Sequence, residues 1–200
     1  KLKIKNSVFI PKIWDFSYFQ NSNLEKNNKE TLILFHPLTQ NWKEKGNNKF
    51  LKGFVKMCKA KQNIFLYYVE WGADANNAKD LLDHPEVKKR MKIIDGPIPK
   101  NQMLEYMQKS DILVDQFNSG SFTRTGIEGM SFGIPLLMNF DEQLHLELFG
   151  ETPSVINVKD ENEIFEKINY FIKNKDELTK IGENSKKWVL YHYNIERNIQ

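Results

Sequence analysis

Residues Asp111 to Leu137 read DILVDQFNSGSFTRTGIEGMSFGIPLL, and their order decides the fold. A short apolar run, DILV, leads into a stretch of Gly, Ser and Thr. That stretch enters a helix at about Thr123 to Thr125, and a second apolar run, IPLL, follows a glycine. Strand, loop, helix, strand is the βαβ unit of a parallel sheet. A loop that ends on a helix start presents backbone N–H groups and the positive end of the helix dipole, so it can cradle a phosphate or sugar hydroxyls. On the helix, Glu128 lies beside Ile127 and Met130, which should face the core, while Gly126, Gly129 and Gly133 thin the helix for close approach. A carboxylate in that place can accept two hydrogen bonds from a ribose diol. It can also pair with Arg124 at i, i+4, although arginine ahead of glutamate is the poorer orientation and opposes the dipole.

The same alternation extends outward. Apolar runs at 31–36, 63–70, 91–95, 111–116, 134–139 and 153–158 predict strands, and the segments 47–61, 76–90, 100–109, 124–132, 142–149, 161–173 and 175–193 predict helices. The expected architecture is α/β, a Rossmann-like doubly wound parallel sheet of about six strands. Residues 1–30 differ: a short alternating strand, then PKIWDFSYFQ, then the polar NSNLEKNNKE, read as an interdomain connector carrying a first strand, with 31–200 as the domain and its C-terminal helices.

Composition narrows the function. Two hundred residues, 40% of them hydrophobic, can bury one sizeable core. Twenty-nine basic against 26 acidic residues leave a net charge of only +3, with the lysines scattered, so no nucleic-acid partner is expected. Cys58 is the single cysteine, so no internal disulfide forms and a reducing, cytoplasmic setting fits. No run approaches the roughly 18–20 apolar residues of a membrane span, and the start lacks the apolar core of a signal peptide. His36, His84, His145 and His192 show no metal-ligand spacing, so no metal is expected. Of these, only His36 ends a strand beside the expected crevice.

Ligands of a doubly wound sheet bind beyond the carboxyl ends of the strands. Three further loops meet there. HPLTQNWKEKG ends in Lys45-Gly46 before a helix, where a lysine can reach a phosphate or simply be solvated; there is no GxxxxGK[ST] P-loop. EWGADANNAKD sets Gly72 after a strand, for close ligand approach or a tight turn. DGPIPKNQM forms a stiff ledge at Pro97, Ile98 and Pro99 against which a base can lie. A dinucleotide dehydrogenase is excluded by the missing GxGxxG, and a receiver domain by the lack of an acidic pair after TLILFHPL.

Taken together, the KG-initiated helix, the glycine after the second strand, G-x-[IV]-P after the third and DILV…GSF…IEGMSFGIPLL resemble the C-terminal domain of the family-four retaining glycosyltransferases, from about Val8 to Arg197. The family pattern is approximately D-[IV]-x-[IV]-x-P-S-x-x-E-G-F-G-x-x-x-x-E-A-M-A-x-G-x-P-V. Phe122, Glu128, Met130, Gly133 and Pro135 keep its register. The resemblance implies half of a GT-B fold that binds a nucleoside-diphosphate sugar without cofactor or metal. Glu128 would hold the donor ribose, Lys45 the diphosphate, Ser121, Phe122, Thr123, Arg124 and Thr125 the phosphate and sugar through their amides, and Pro97, Ile98 and Pro99 the base, with Gly72 and Gly120 lining the donor. It further implies a hexosyltransferase whose N-terminal GT-B domain lies outside this chain, so that the fragment alone is inactive. The acceptor would be a glycan, lipid or other molecule, with peripheral membrane association of the full-length protein left open. A GT-B sugar-nucleotide epimerase half, or a non-catalytic nucleotide-sugar-binding domain, would share these motifs. The departures are specific. The first glutamate of the family pair falls on Gly120, the next glycine on Ser121, and no arginine precedes Lys45, a gap that Arg124 would fill as a second phosphate cation.

Overall fold

A computed structural model describes residues 30–193. The connector and its strand expected within 1–30 therefore lie, but for Glu30, outside the described residues. The chain runs β1 (Leu32–His36), α1 (Trp42–Lys45), α2 (Asn47–Lys59), β2 (Ile64–Glu70), α3 (Ala75–Leu82), α4 (Pro85–Lys88), β3 (Met91–Asp95), α5 (Lys100–Gln108), β4 (Ile112–Val114), α6 (Arg124–Phe132), β5 (Leu136–Met138), α7 (Glu142–Phe149), β6 (Ile156–Asn157), α8 (Glu161–Lys173) and α9 (Lys175–His192).

The six strands form one parallel sheet in the order β3-β2-β1-β4-β5-β6. Alternation along β1 sends Leu32 and Leu34 to one face and Phe35 to the other. On the first face they meet Phe50, Phe54 and Met57 of α2 and Ile164 and Ile168 of α8. On the second, Phe35 and Leu113 meet Tyr106 and Met107 of α5, Ile127 and Met130 of α6 and Trp188 of α9. Phe50 and Phe54 are fully buried, a contribution of roughly 1.5–3 kcal/mol each by transfer from water. Cys58 is buried in the first cluster, where burial pushes its thiol up to about 12.

Two departures from the expected elements have local causes. The helix expected over 76–90 is two helices, because Pro85 has no N–H to continue α3 and drives His84 into an extended conformation (φ −143°, ψ 138°). His84 then accepts the Glu86 N–H and starts α4. The four-residue α1 was not expected; the Asn41 side chain caps it by accepting from Glu44 N–H, and Gly46 closes it. β3 matches its apolar run, and the other strands are shorter than theirs, since β4 stops at Val114 and β6 spans only Ile156–Asn157.

Strand order reverses between β1 and β4. Beyond their carboxyl ends the chain leaves in opposite directions and opens the crevice where a doubly wound sheet binds its ligand.

Candidate functional site

Three loops converge on this crevice. His36 closes β1 with no exposed surface, and its Nδ1 lies 3.3 Å from the Val114 carbonyl at the end of β4. Its Nε2 faces the amide nitrogens of Asn47 (3.1 Å) and Gln40 (3.2 Å). Amide nitrogens only donate, so Nε2 accepts and the proton sits on Nδ1, donating to Val114. Burial pushes His36 down to about 4, which keeps the ring neutral. Held in this way, His36 is a strut across the switch point, tying β1 to β4 and to the head of α2.

Lys45 ends α1 beside that strut. Its ammonium donates to Gln116 Oε1 at 3.1 Å, and its carbonyl accepts the Phe117 N–H at 2.6 Å. Gly72 stands one loop further out with φ 106°, and a Cβ there would fall 2.7 Å from Gln40 N. Close packing of the β2 loop on the β1 loop, with Gln40 N–H bonded to the Trp71 carbonyl, gives this glycine a structural reason.

The loop between β4 and α6 is held from below. Asp115, 1% exposed, accepts the Thr123 N–H through Oδ2 at 3.0 Å. Its Oδ1 is buried without a partner among the described residues. Burial raises this carboxyl to about 6, against the opposing pull of Thr123 and Lys45. Gln116 donates from Nε2 to the Ser121 carbonyl at 2.7 Å. Phe122 turns inward and packs on Phe140, His145 and Trp188, so it anchors the loop to the second core cluster. Thr123 caps α6, its hydroxyl accepting from Gly126 N–H at 3.1 Å, and Thr125 follows half-buried in the first turn.

Gly120 is buried at φ 72°, in the left-handed region that favours glycine, and its carbonyl accepts the Asp141 N–H. A Cβ at this position would lie 2.8 Å from Asp141 Cβ. The place of the family's first glutamate is thus closed by backbone conformation and by a neighbour, not merely occupied by a smaller residue.

Glu128 is 6% exposed on the second turn of α6. Its Oε1 is 3.3 Å from Arg124 Nε and 3.5 Å from Lys100 Nζ, while the two cations keep 65% and 48% of their side chains in solvent. The pair with Arg124 that the spacing allowed does form. At i, i+4 in the weaker order it is worth a few tenths of a kcal/mol, well within reach of displacement by a ligand. Lys100 opens α5 directly after the ledge of exposed Pro97, half-buried Ile98 and exposed Pro99, so it carries that ledge up to Glu128.

Gln116 thus joins Lys45 to the 119–125 loop, and Glu128 joins the head of α6 to Lys100 beside the 97–99 ledge, while Gly72 packs against Gln40 in the loop after β1. Gln116 and Lys100 were not among the residues singled out from sequence. Gln116 carried a signal, since it stands where the family pattern has proline. Lys100 carried none beyond its place after a proline-rich turn. Among the described residues no group of three or more His, Cys, Asp or Glu could hold a metal ion, and no helix is long and apolar enough to cross a membrane.

A parallel sheet in 3-2-1-4-5-6 order, with a capped helix start, a lysine and a buried carboxylate at its switch point, defines a Rossmann-like ligand-binding domain. The model of the family "Glycosyl transferases group 1" matches residues 19–188, and the chain belongs to that family. None of the curated proteins matches it. Among solved structures, a glycosyltransferase from Rickettsia africae superposes with a TM-score of 0.72 at 18% identity, covering 96% of this chain and 54% of its own. The C-terminal domain of LpcC, a group 1 glycosyl transferase from Francisella tularensis, gives 0.65 at 16%, covering 82% and 87%. Anabaena HepE, in complex with UDP and glucose, gives 0.64 at 14%, covering 84% and 46%. The chain spans about half the length of the Rickettsia enzyme, and its fold is that of the C-terminal domain of a GT-B glycosyltransferase.

Proposed function

We propose that this chain is the donor-binding half of a retaining GT-B hexosyltransferase. The crevice holds a nucleoside-diphosphate sugar, with the diphosphate between Lys45 and the Ser121–Thr125 amides, the ribose hydroxyls on Glu128, and the base along Pro97–Pro99. Arg124, exposed at the head of α6, adds a second cation toward the phosphates. No metal is required, because lysine, arginine and the helix dipole supply the positive charge that a divalent ion would otherwise bring. The acceptor is bound by an N-terminal GT-B domain across the cleft.

One observation carries this reading: a nearly buried carboxylate, Glu128, is bracketed by Lys100 from the proline ledge and Arg124 from the helix start. An acid in that place, paired with two partly solvated cations, is ready to exchange them for a diol. The UDP complex of the Anabaena protein makes uridine diphosphate the first ligand to try.

The test is a thermal-shift panel of nucleoside diphosphates against the chain. Binding to the folded state alone raises stability by RT ln(1 + [L]/Kd), about 2.7 kcal/mol at a hundredfold excess over Kd. At least one nucleoside diphosphate should raise the melting temperature, and its parent nucleoside should do so less. A flat panel overturns the reading. Transfer of sugar by this chain alone would also overturn it, since half a cleft has no acceptor site through which to stabilise a transition state.

A further inference from the structure

Gln116 is 4% exposed, and its amide joins the two halves of the crevice. Oε1 accepts from the Lys45 ammonium at 3.1 Å, and Nε2 donates to the Ser121 carbonyl at 2.7 Å. The amide group is planar, so these bonds fix the lysine and the loop at one separation. Lys45 is tied a second time, by its carbonyl to Phe117 N–H, and the far side of the loop is tied by Asp115 to Thr123 N–H. Without the amide, Lys45 regains the rotamer freedom of a four-carbon stem, and Ser121 loses its bond to the crevice floor.

We propose that Gln116 is a positioning residue of the donor site, holding the Lys45 ammonium and the Ser119–Thr123 loop at the spacing that receives a diphosphate. It touches no reacting atom. Its effect is preorganisation: the lysine need not be ordered when the ligand arrives, so affinity for the diphosphate rises while affinity for the nucleoside does not. This inference rests on the donor reading above.

Calorimetry tests it with the nucleoside diphosphate that shifts the melting temperature most, UDP being the first probe, and with its parent nucleoside. The proteins are wild type, Lys45→Ala, Gln116→Leu and the double variant. Gln116→Leu should lower diphosphate affinity about tenfold, as expected for a charge-assisted contact, and change nucleoside affinity less than about twofold. In the Lys45→Ala background the same substitution should cost clearly less than in wild type, because one of its two partners is gone and only the Ser121 bond is left to lose. An equal loss in both backgrounds, or an equal loss for the nucleoside, makes Gln116 an ordinary packing residue and overturns the proposal. If Lys45→Ala leaves diphosphate affinity unchanged, the donor reading fails, and that outcome is visible before any Gln116 variant is considered. Gln116→Met, of similar length, replaces Gln116→Leu should the latter melt far below wild type.

Discussion

Asp115 Oδ2 lies directly beneath the Cα of Gly126, so close that a Cβ on residue 126 would overlap it. The carboxylate thus sits inside the first turn of α6, with Thr123 N–H bonded to it and no side chain between acid and helix. Gly126→Ala should destabilise the fold by about 1–3 kcal/mol through overpacking, although alanine is the better helix former by about 1 kcal/mol. Urea denaturation gives the answer, and a neutral or stabilising alanine would show that the acid is not seated there.

Asp115 and His36 should pull stability in opposite directions with pH. Asp115 has a folded pKa of about 6 against an ordinary 3.8, so its contribution is complete below 3.8 and is lost as pH rises through about 6. His36 has a folded pKa of about 4 against 6.5, so its contribution is complete above 6.5 and is lost as pH falls through about 4. Asp115→Asn removes only the first effect. Relative to wild type, this variant should gain about 3 kcal/mol between pH 3.5 and pH 7, since each tenfold change in proton affinity is worth about 1.36 kcal/mol. A constant difference across that range would place Asp115 in a solvated setting.

Gly120→Glu, which writes the family's missing glutamate back into the sequence, should not restore a sugar-facing carboxylate. It forces a side chain into the left-handed region and onto Asp141 Cβ, at a cost of roughly 1–3 kcal/mol. Asp141→Ala leaves that Cβ in place and should not relieve it, whereas Asp141→Gly should recover part of the loss. Chemical denaturation of the single and double variants distinguishes these cases.

Glu128→Gln keeps the shape of the side chain and removes its charge. If both ribose hydroxyls bond to the carboxylate, nucleotide binding should weaken by about 1–3 kcal/mol. Dideoxyribose ligands should bind wild type poorly and lose little more in the variant, because both changes delete the same interaction. Were Glu128 only the partner of Arg124 and Lys100, the substitution would alter stability by a few tenths of a kcal/mol and spare binding. Additive losses across the four combinations would remove Glu128 from the site.

Much of this was legible in the sequence because it depends on neighbours in the chain. Periodicity placed all six strands and the bounds of α6, α7 and α8, since burial on one face of a helix or strand repeats with the backbone. Glu128 could be singled out because Ile127 and Met130 beside it are apolar and the glycines around it need a reason. The break at Pro85 was also within reach of local rules, although it was not predicted. Tertiary structure alone decided the rest. That Gly72 is required by Gln40, that Gly120 is closed off by Asp141, that Gln116 bridges Lys45 to Ser121 and that Lys100 reaches Glu128 are contacts between residues 5 to 71 positions apart. Their partners are set by the order in which strands lie side by side, and that order follows from packing the whole sheet, which no local stretch of sequence encodes.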